Sequence, residues 1–101
     1  MKSTKVVFDD VKLNYSSELM RAVAHPLRLQ IIQFIDNHAE INVNQIYNEL
    51  DLEQSITSQH LKVLRLAGVV NVKKEGKFMR YNLNYDILTR AKTSVDRFLS
   101  K

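Results

Sequence analysis

The residues best suited to chemistry in this sequence lie in "EQSITSQH", Glu53 to His60. Gln54, Ser55, Thr57, Ser58, Gln59 and His60 place amides, hydroxyls and an imidazole along two turns of chain. Each can donate and accept hydrogen bonds, and none but the histidine gains a charge near neutral pH. An ordinary solvated helix face is built from Glu and Lys, which form helix well; Ser and Thr form it less readily, because their hydroxyls compete for the backbone. The residues that follow, Leu61, Val63, Leu64, Leu66 and Ala67, read as the buried side of the same helix, and Gly68 closes it. A short helix with a neutral hydrogen-bonding outer face suits the edges of base pairs, which present donors and acceptors in the major groove of double-stranded DNA.

Charge lies close by. The 101-residue chain has a net charge of +4, but the distribution is uneven. No Lys or Arg occurs from Leu29 to Leu61, which holds five acids: Asp36, Glu40, Glu49, Asp51 and Glu53. From Lys62 to Tyr81 there are six bases (Lys62, Arg65, Lys73, Lys74, Lys77 and Arg80) against one acid, Glu75. Such a basic stretch is either a solvated hairpin or a phosphate-binding one, and composition does not choose between them.

The elements that must position these groups follow from periodicity. Residues 1–13 lack a clear pattern and are read as an N-terminal arm, leaving 14–101 as a single domain. A first helix is expected from about Ser16 to Ala24, with Leu19, Met20 and Val23 on one side. His25-Pro26 breaks it, and Pro26 suits the first turn of a second helix, to about Asn37, that buries Leu27, Ile31, Ile32 and Ile35. A third helix starts near Asn42, with Val43, Ile46, Tyr47 and Leu50 as its apolar stripe. After a tight "DLE" connection comes the helix of residues 54–67. The period then shortens to two: Val70 and Val72, then Met79, Tyr81 and Leu83, alternate with polar residues around a Glu75-Gly76 turn. A last helix, about Tyr85 to Leu99, carries Leu88, Ala91, Val95 and Phe98. It packs either on the domain core or on a second copy.

Two helices joined by a tight connection and followed by a basic hairpin make a winged helix-turn-helix: mainly α, about five helices plus a two-stranded wing. In that arrangement the second helix, 54–67, enters the major groove, and the wing, 72–80, follows the backbone or the minor groove. Neutral Ser and Gln then read base edges while flanking Lys and Arg hold phosphate. The segments "RAVAHPLRLQIIQFI", "SQHLKVLRLAGVV" and "KKEGKFMRYNL", in this order, resemble the ArsR/SmtB family of small dimeric bacterial repressors. The resemblance covers roughly Glu18 to Leu99. It implies a homodimer built from the first and last helices (Leu19, Val23, Leu88, Ala91, Val95 and Phe98) that binds an inverted-repeat operator. It also implies Gln54, Ser55, Ser58 and Gln59 as base-facing residues, and Lys62, Lys74, Lys77 and Arg80 as phosphate or wing contacts. His60 matches the histidine of the family's S-x-H-L motif, which either touches phosphate or packs within the motif. Two departures stand out. Glu53 occupies the place of the family's helix-capping serine, and Thr57 the place of an apolar residue, with Ile56 one position earlier; either Thr57 is half buried, or the helix is rotated slightly.

Other function classes fit poorly. The three histidines, His25, His38 and His60, share no motif, the carboxylates are scattered, and there is no Gly-rich phosphate loop, so an enzyme is not expected. A winged helix used only for protein contacts is the alternative, but it would need neither the Ser/Gln face nor the basic wing. The family's two best-known metal sites are altered. Asn42 and Asn44 stand where a Cys-x-Cys would be, and Tyr85, Ile87, Phe98 and Lys101 stand where the ligands of the last-helix site would be. Amides do not replace thiolates for soft ions. No metal or other cofactor is expected, and any effector is left open. With no cysteine, export signal or membrane-length apolar run, the expected compartment is the cytoplasm.

Overall fold

A computed structural model describes residues 10–38 and 41–99. Helix α1 (Asp10–Val23) leads into α2 (Pro26–His38); β1 (Ile41–Asn42) precedes α3 (Val43–Glu49) and α4 (Gln54–Leu66); β2 (Val70–Glu75) and β3 (Phe78–Leu83) form the hairpin, and α5 (Tyr85–Leu99) closes the chain. Helix α1 starts at Asp10, so the last residues of the expected arm are helical, and residues 1–9 lie outside the described part. The hairpin gains a third strand: β1 pairs antiparallel with β3 through Ile41–Tyr81 and Asn42–Arg80, in the order β1-β3-β2. Among the described residues no helix is long and apolar enough to cross a membrane.

The α1–α2 junction is built from the "HPLR" residues. His25 Nδ1 accepts from the Leu27 amide at 3.1 Å, and Arg28 donates from Nε to the Ala22 carbonyl at 2.6 Å and from Nη2 to the Arg21 carbonyl at 3.1 Å. A histidine thus satisfies an amide at the start of α2, and an arginine the free carbonyls at the end of α1. At the start of α3, Asn42 accepts from the Gln45 amide while the Gln45 side chain accepts from the Asn42 amide, a complete capping box.

Helices α3 and α4 end alike. Leu52 N–H donates to the Tyr47 carbonyl and Asp51 N–H to that of Asn48, with Asp51 at φ 53°. Val69 N–H donates to Leu64 and Gly68 N–H to Arg65, with Gly68 at φ 82°. Both are Schellman closures with one left-handed residue, and the second seals over fully buried Leu64 and Val69. The hairpin turn falls one residue later than expected. Glu75 and Phe78 pair, so Gly76 (φ 58°) and Lys77 form the loop, with glycine first as a type II′ turn requires.

The core gathers Ile31, Ile32 and Ile35 of α2, Ile46 of α3, Leu61 and Leu64 of α4, and Ile41, Val70 and Leu83 of the sheet. Helix α5 leans on it through Ile87, Leu88 and Ala91, and the Tyr85 hydroxyl donates to Asp36 Oδ1 at 2.6 Å.

A Cβ on Gly68 would meet nothing within 4 Å, so its substitution costs only backbone strain. Gly68→Ala should therefore lower the unfolding free energy by about 1 kcal/mol in a urea titration. Asp51→Gly should not lower it, since aspartate already bears the left-handed strain that glycine escapes. An unchanged midpoint for Gly68→Ala would show that the closure of α4 does not depend on that geometry.

Candidate nucleic-acid interface

Helix α4 buries a single line, Thr57, Leu61 and Leu64, at helical spacing. Thr57 was expected among the DNA-facing residues, and the structure corrects this: it is 0% exposed, with its hydroxyl donating to the Glu53 carbonyl at 2.9 Å. That bond is what lets a hydroxyl sit in an apolar core, because an unpartnered one would cost more than 1 kcal/mol. Ile56, one position earlier, is 39% exposed, so the helix is not turned to bury it.

At 3.6 residues per turn, the positions diametrically opposite this buried line are Ser55, Gln59 and Lys62. All three are exposed, as are Ser58 and Gln54 on one flank. Ile56 and Val63 lie on the other flank, and Leu66 follows Lys62 on the outer line, 70% exposed. Val63 and Leu66 are thus not on the buried side, as their hydrophobicity implied; the core admits only one residue per turn of α4. Ile56 was missed as a surface residue. Centring the helical period on Thr57, Leu61 and Leu64 would have revealed it, and beside Ser55 and Gln59 it offers an apolar contact of the kind made to a thymine methyl.

Glu53 is the N-cap residue of α4 by backbone geometry, without a capping hydrogen bond from its side chain. The helix forms without one, since the Glu53 carbonyl accepts the first intrahelical bond, from the Thr57 amide at 3.0 Å.

His60 sits half-buried between the outer face and the α1–α2 junction, its ring 4.8 Å from that of His25. The ring contact with His25 packs His60 against the α1–α2 junction. Burial, then the nearby His25 and Arg28, hold the imidazole below its ordinary value. His25 lies at the helix junction and His38 is exposed at the end of α2, both as expected.

On the wing, strand alternation places Lys73, Glu75 and Arg80 on the outer face. Arg80 Nε lies 2.8 Å from Glu75 Oε2, and Lys73 Nζ lies 3.7 Å from Glu75 Oε1. The single acid of the basic stretch therefore holds two of its bases in place. Lys74 and Lys77 are exposed and form no ion pair among the described residues.

Of the expected dimer residues, Leu19 and Ala91 are 6% exposed within one copy and pack into its core, and Ala91 also lines the groove between α1, α2 and α5. Val23 and Leu88 are half-buried and Val95 is exposed; the Phe98 side chain lies outside the described residues. No group of three or more His, Asp or Glu gathers as a metal site among the described residues.

Residues 25–72 match the family described as "Bacterial regulatory protein, arsR family". The transcriptional repressor PagR of Bacillus anthracis is 39% identical over 83 residues, covering 77% of this chain and 83% of PagR. The chain belongs to the ArsR family. The transcriptional activator HlyU of Vibrio cholerae is 42% identical over 67 residues, which span 65% of this chain and 60% of HlyU. Among solved structures, a possible transcriptional regulator for arsenical resistance superposes with a TM-score of 0.76 at 30% identity, covering 83% of this chain and 86% of that one. The fold is thus the winged helix-turn-helix of this family, with α3 and α4 as the helix-turn-helix and β2–β3 as the wing. Of the two asparagines singled out in the sequence, Asn42 is occupied in the capping box that opens α3, and Asn44 lies in its first turn.

Neutral His60 stabilises the fold. Because its native pKa is lowered, the unfolded state binds the proton more readily. The contribution is complete above the ordinary histidine value of about 6.5 and is lost as pH falls through the lowered native value. The thermal midpoint should fall more steeply on acidification for the unmodified protein than for His60→Gln. Parallel pH curves for the two proteins would contradict this placement of His60.

Proposed function

We propose that this ArsR-family chain is a sequence-specific DNA-binding transcriptional regulator, acting as a homodimer on an inverted-repeat operator. One observation carries the reading. The α4 face opposite the buried line Thr57–Leu61–Leu64 is Ser55, Gln59 and Lys62, a neutral hydrogen-bonding pair followed by a cation, next to a wing with two free lysines. In the proposed complex Ser55, Ser58 and Gln59 meet base edges, with Gln54 at the start of the helix and Lys62 on phosphate. Lys74 and Lys77 contact the backbone beside the minor groove, and Lys73 and Arg80 add charge from the Glu75 cluster. His60 and Thr57 support α4 from within.

Regulation follows from occupancy: a dimer over a promoter blocks transcription, so repression is the proposed direction, in the cytoplasm where the DNA is. PagR is named a repressor and HlyU an activator, which supports a regulatory role. No catalytic step is proposed.

A dimer is supported by the apolar surface that α5 leaves open. Met20, Val23, Leu29, Ile32, Leu88 and Val95 line one groove between α1, α2 and α5, and Leu99 beyond it is exposed. A second copy laid on this groove by two-fold symmetry covers it, and reading both half-sites requires the two α4 helices to lie about one DNA turn, roughly 34 Å, apart.

Gln59→Ala should relax preference at one base pair per half-site, at a cost of about 1–3 kcal/mol for the preferred sequence. Lys74→Ala or Lys77→Ala should weaken binding on all sequences alike and flatten the salt dependence by about one unit per lost phosphate contact. Binding titrations on DNA selected from a random pool test both; an unchanged preference in Gln59→Ala would refute the assignment. Val95→Asp should give monomers in sedimentation and weaker operator binding. An unmodified protein that sediments as a monomer at micromolar concentration would exclude the dimer.

A further inference from the structure

The wing tip carries apolar residues that neither the core nor phosphate binding explains. Phe78 is 50% exposed and Met79 40% exposed. They follow the Gly76-Lys77 loop directly and point to opposite faces of β3. The last rung with half-buried side chains on the core face is Val72–Tyr81, so both residues lie beyond the reach of the core. Phe78 pairs across the hairpin with Glu75, and Met79 with Lys74. Around these two side chains stand Lys73, Lys74, Lys77 and Arg80, against the single Glu75.

This surround selects among occupants. A second wing tip would bring four more cations against these four, so self-association is opposed. A surface flanked by phosphates on both sides matches it. The minor groove is such a surface: about 6 Å wide, it excludes a two-stranded ribbon but admits the side chains at its tip. Apolar side chains entering it wedge between base pairs, partly unstack one step and kink the duplex. Pyrimidine–purine steps yield most easily, so a wedge confers sequence preference without a hydrogen bond to any base.

We propose that Phe78 is a specificity-determining wedge, entering the minor groove beside each half-site and favouring a pyrimidine–purine step there. The Glu75–Arg80 and Glu75–Lys73 ion pairs hold the hairpin tip in shape, and Lys74 and Lys77 bind the phosphates on either side. This rests on the DNA-binding reading above, with the wing contacting DNA.

The test uses the intact protein and duplexes it selects from a random DNA pool, with 2-aminopurine placed in the flank of each half-site to report unstacking by its fluorescence. The unmodified protein should raise that fluorescence, and the selected flanks should be enriched in TA or CA/TG steps. Phe78→Ala should abolish the rise, erase the flank preference and weaken binding by about tenfold. Phe78→Leu should keep much of all three. Lys77→Ala should weaken binding while the bound complex keeps the rise. Thermal midpoints should stay unchanged, since these side chains are outside the core. A Phe78→Ala protein with unaltered fluorescence, flank preference and affinity would overturn the wedge. If Lys77→Ala were then the weaker binder, the wing would still contact DNA, through charge alone. If neither variant changed binding, the wing would not touch DNA. If no sequence were enriched at all, the DNA-binding reading would fail, and the wedge with it.

Discussion

The rotational setting of α4 is the constraint on which the interface depends, and the buried line Thr57, Leu61 and Leu64 fixes it. Thr57 lies fully inside, with its Oγ1 donating to the Glu53 carbonyl one turn back. Turning the helix by one residue would bury Ile56 and expose Thr57, a trade that hydrophobicity alone would favour. Leu61 and Leu64 forbid it, because both are fully buried on the line that Thr57 continues. With that line fixed, Ser55, Gln59 and Lys62 must face outward. The intrahelical bond makes the arrangement tolerable and supplies no direction of its own.

The surrounding structure keeps α4 at this angle from both ends. The Schellman closure of α3 with Asp51 in the left-handed conformation turns the chain into the start of α4, and the closure at Gly68 turns it into the wing. Between them, His60 leans on His25, whose other contact is the start of α2. The "HPLR" segment thus serves architecture: Arg28 ties off α1, His25 opens α2, and the histidine pair joins this junction to the middle of α4. Helix, junction and wing share one small core, so displacing any of them should move the outer face of α4.

Much of this was legible in the sequence, because the signals were local. Pro26, Gly68 and Gly76 punctuate the chain, and the change from helical to alternating period marks the wing. What was not legible depended on tertiary context. The two-residue β1 gives no periodic signal, and Asn42 within it also caps α3. The start of α1 has no stripe to announce it. Whether Thr57 is buried or α4 is turned stayed open in the sequence, because hydrophobicity does not count a hydroxyl bonded within its own helix. Val63 and Leu66 were placed inside because the apolar residues of α4 outnumber the places its core offers. How far Leu19 and Ala91 also serve the core of the single copy was not legible either, whereas Val95 and Leu99 remain on the surface.

The claim that the Ser55–Gln59–Lys62 face meets DNA is tested most directly by amide shift mapping. Nitrogen-15-labelled protein would be titrated with a duplex it has selected from random DNA. The largest changes are expected at the amides of Ser55, Ser58, Gln59 and Lys62 and at the Gln59 side-chain amide, with further changes at Lys74 and Lys77. Changes confined to α1 and α5, with those residues unmoved, would contradict the assignment and leave α4 as an element of the core alone.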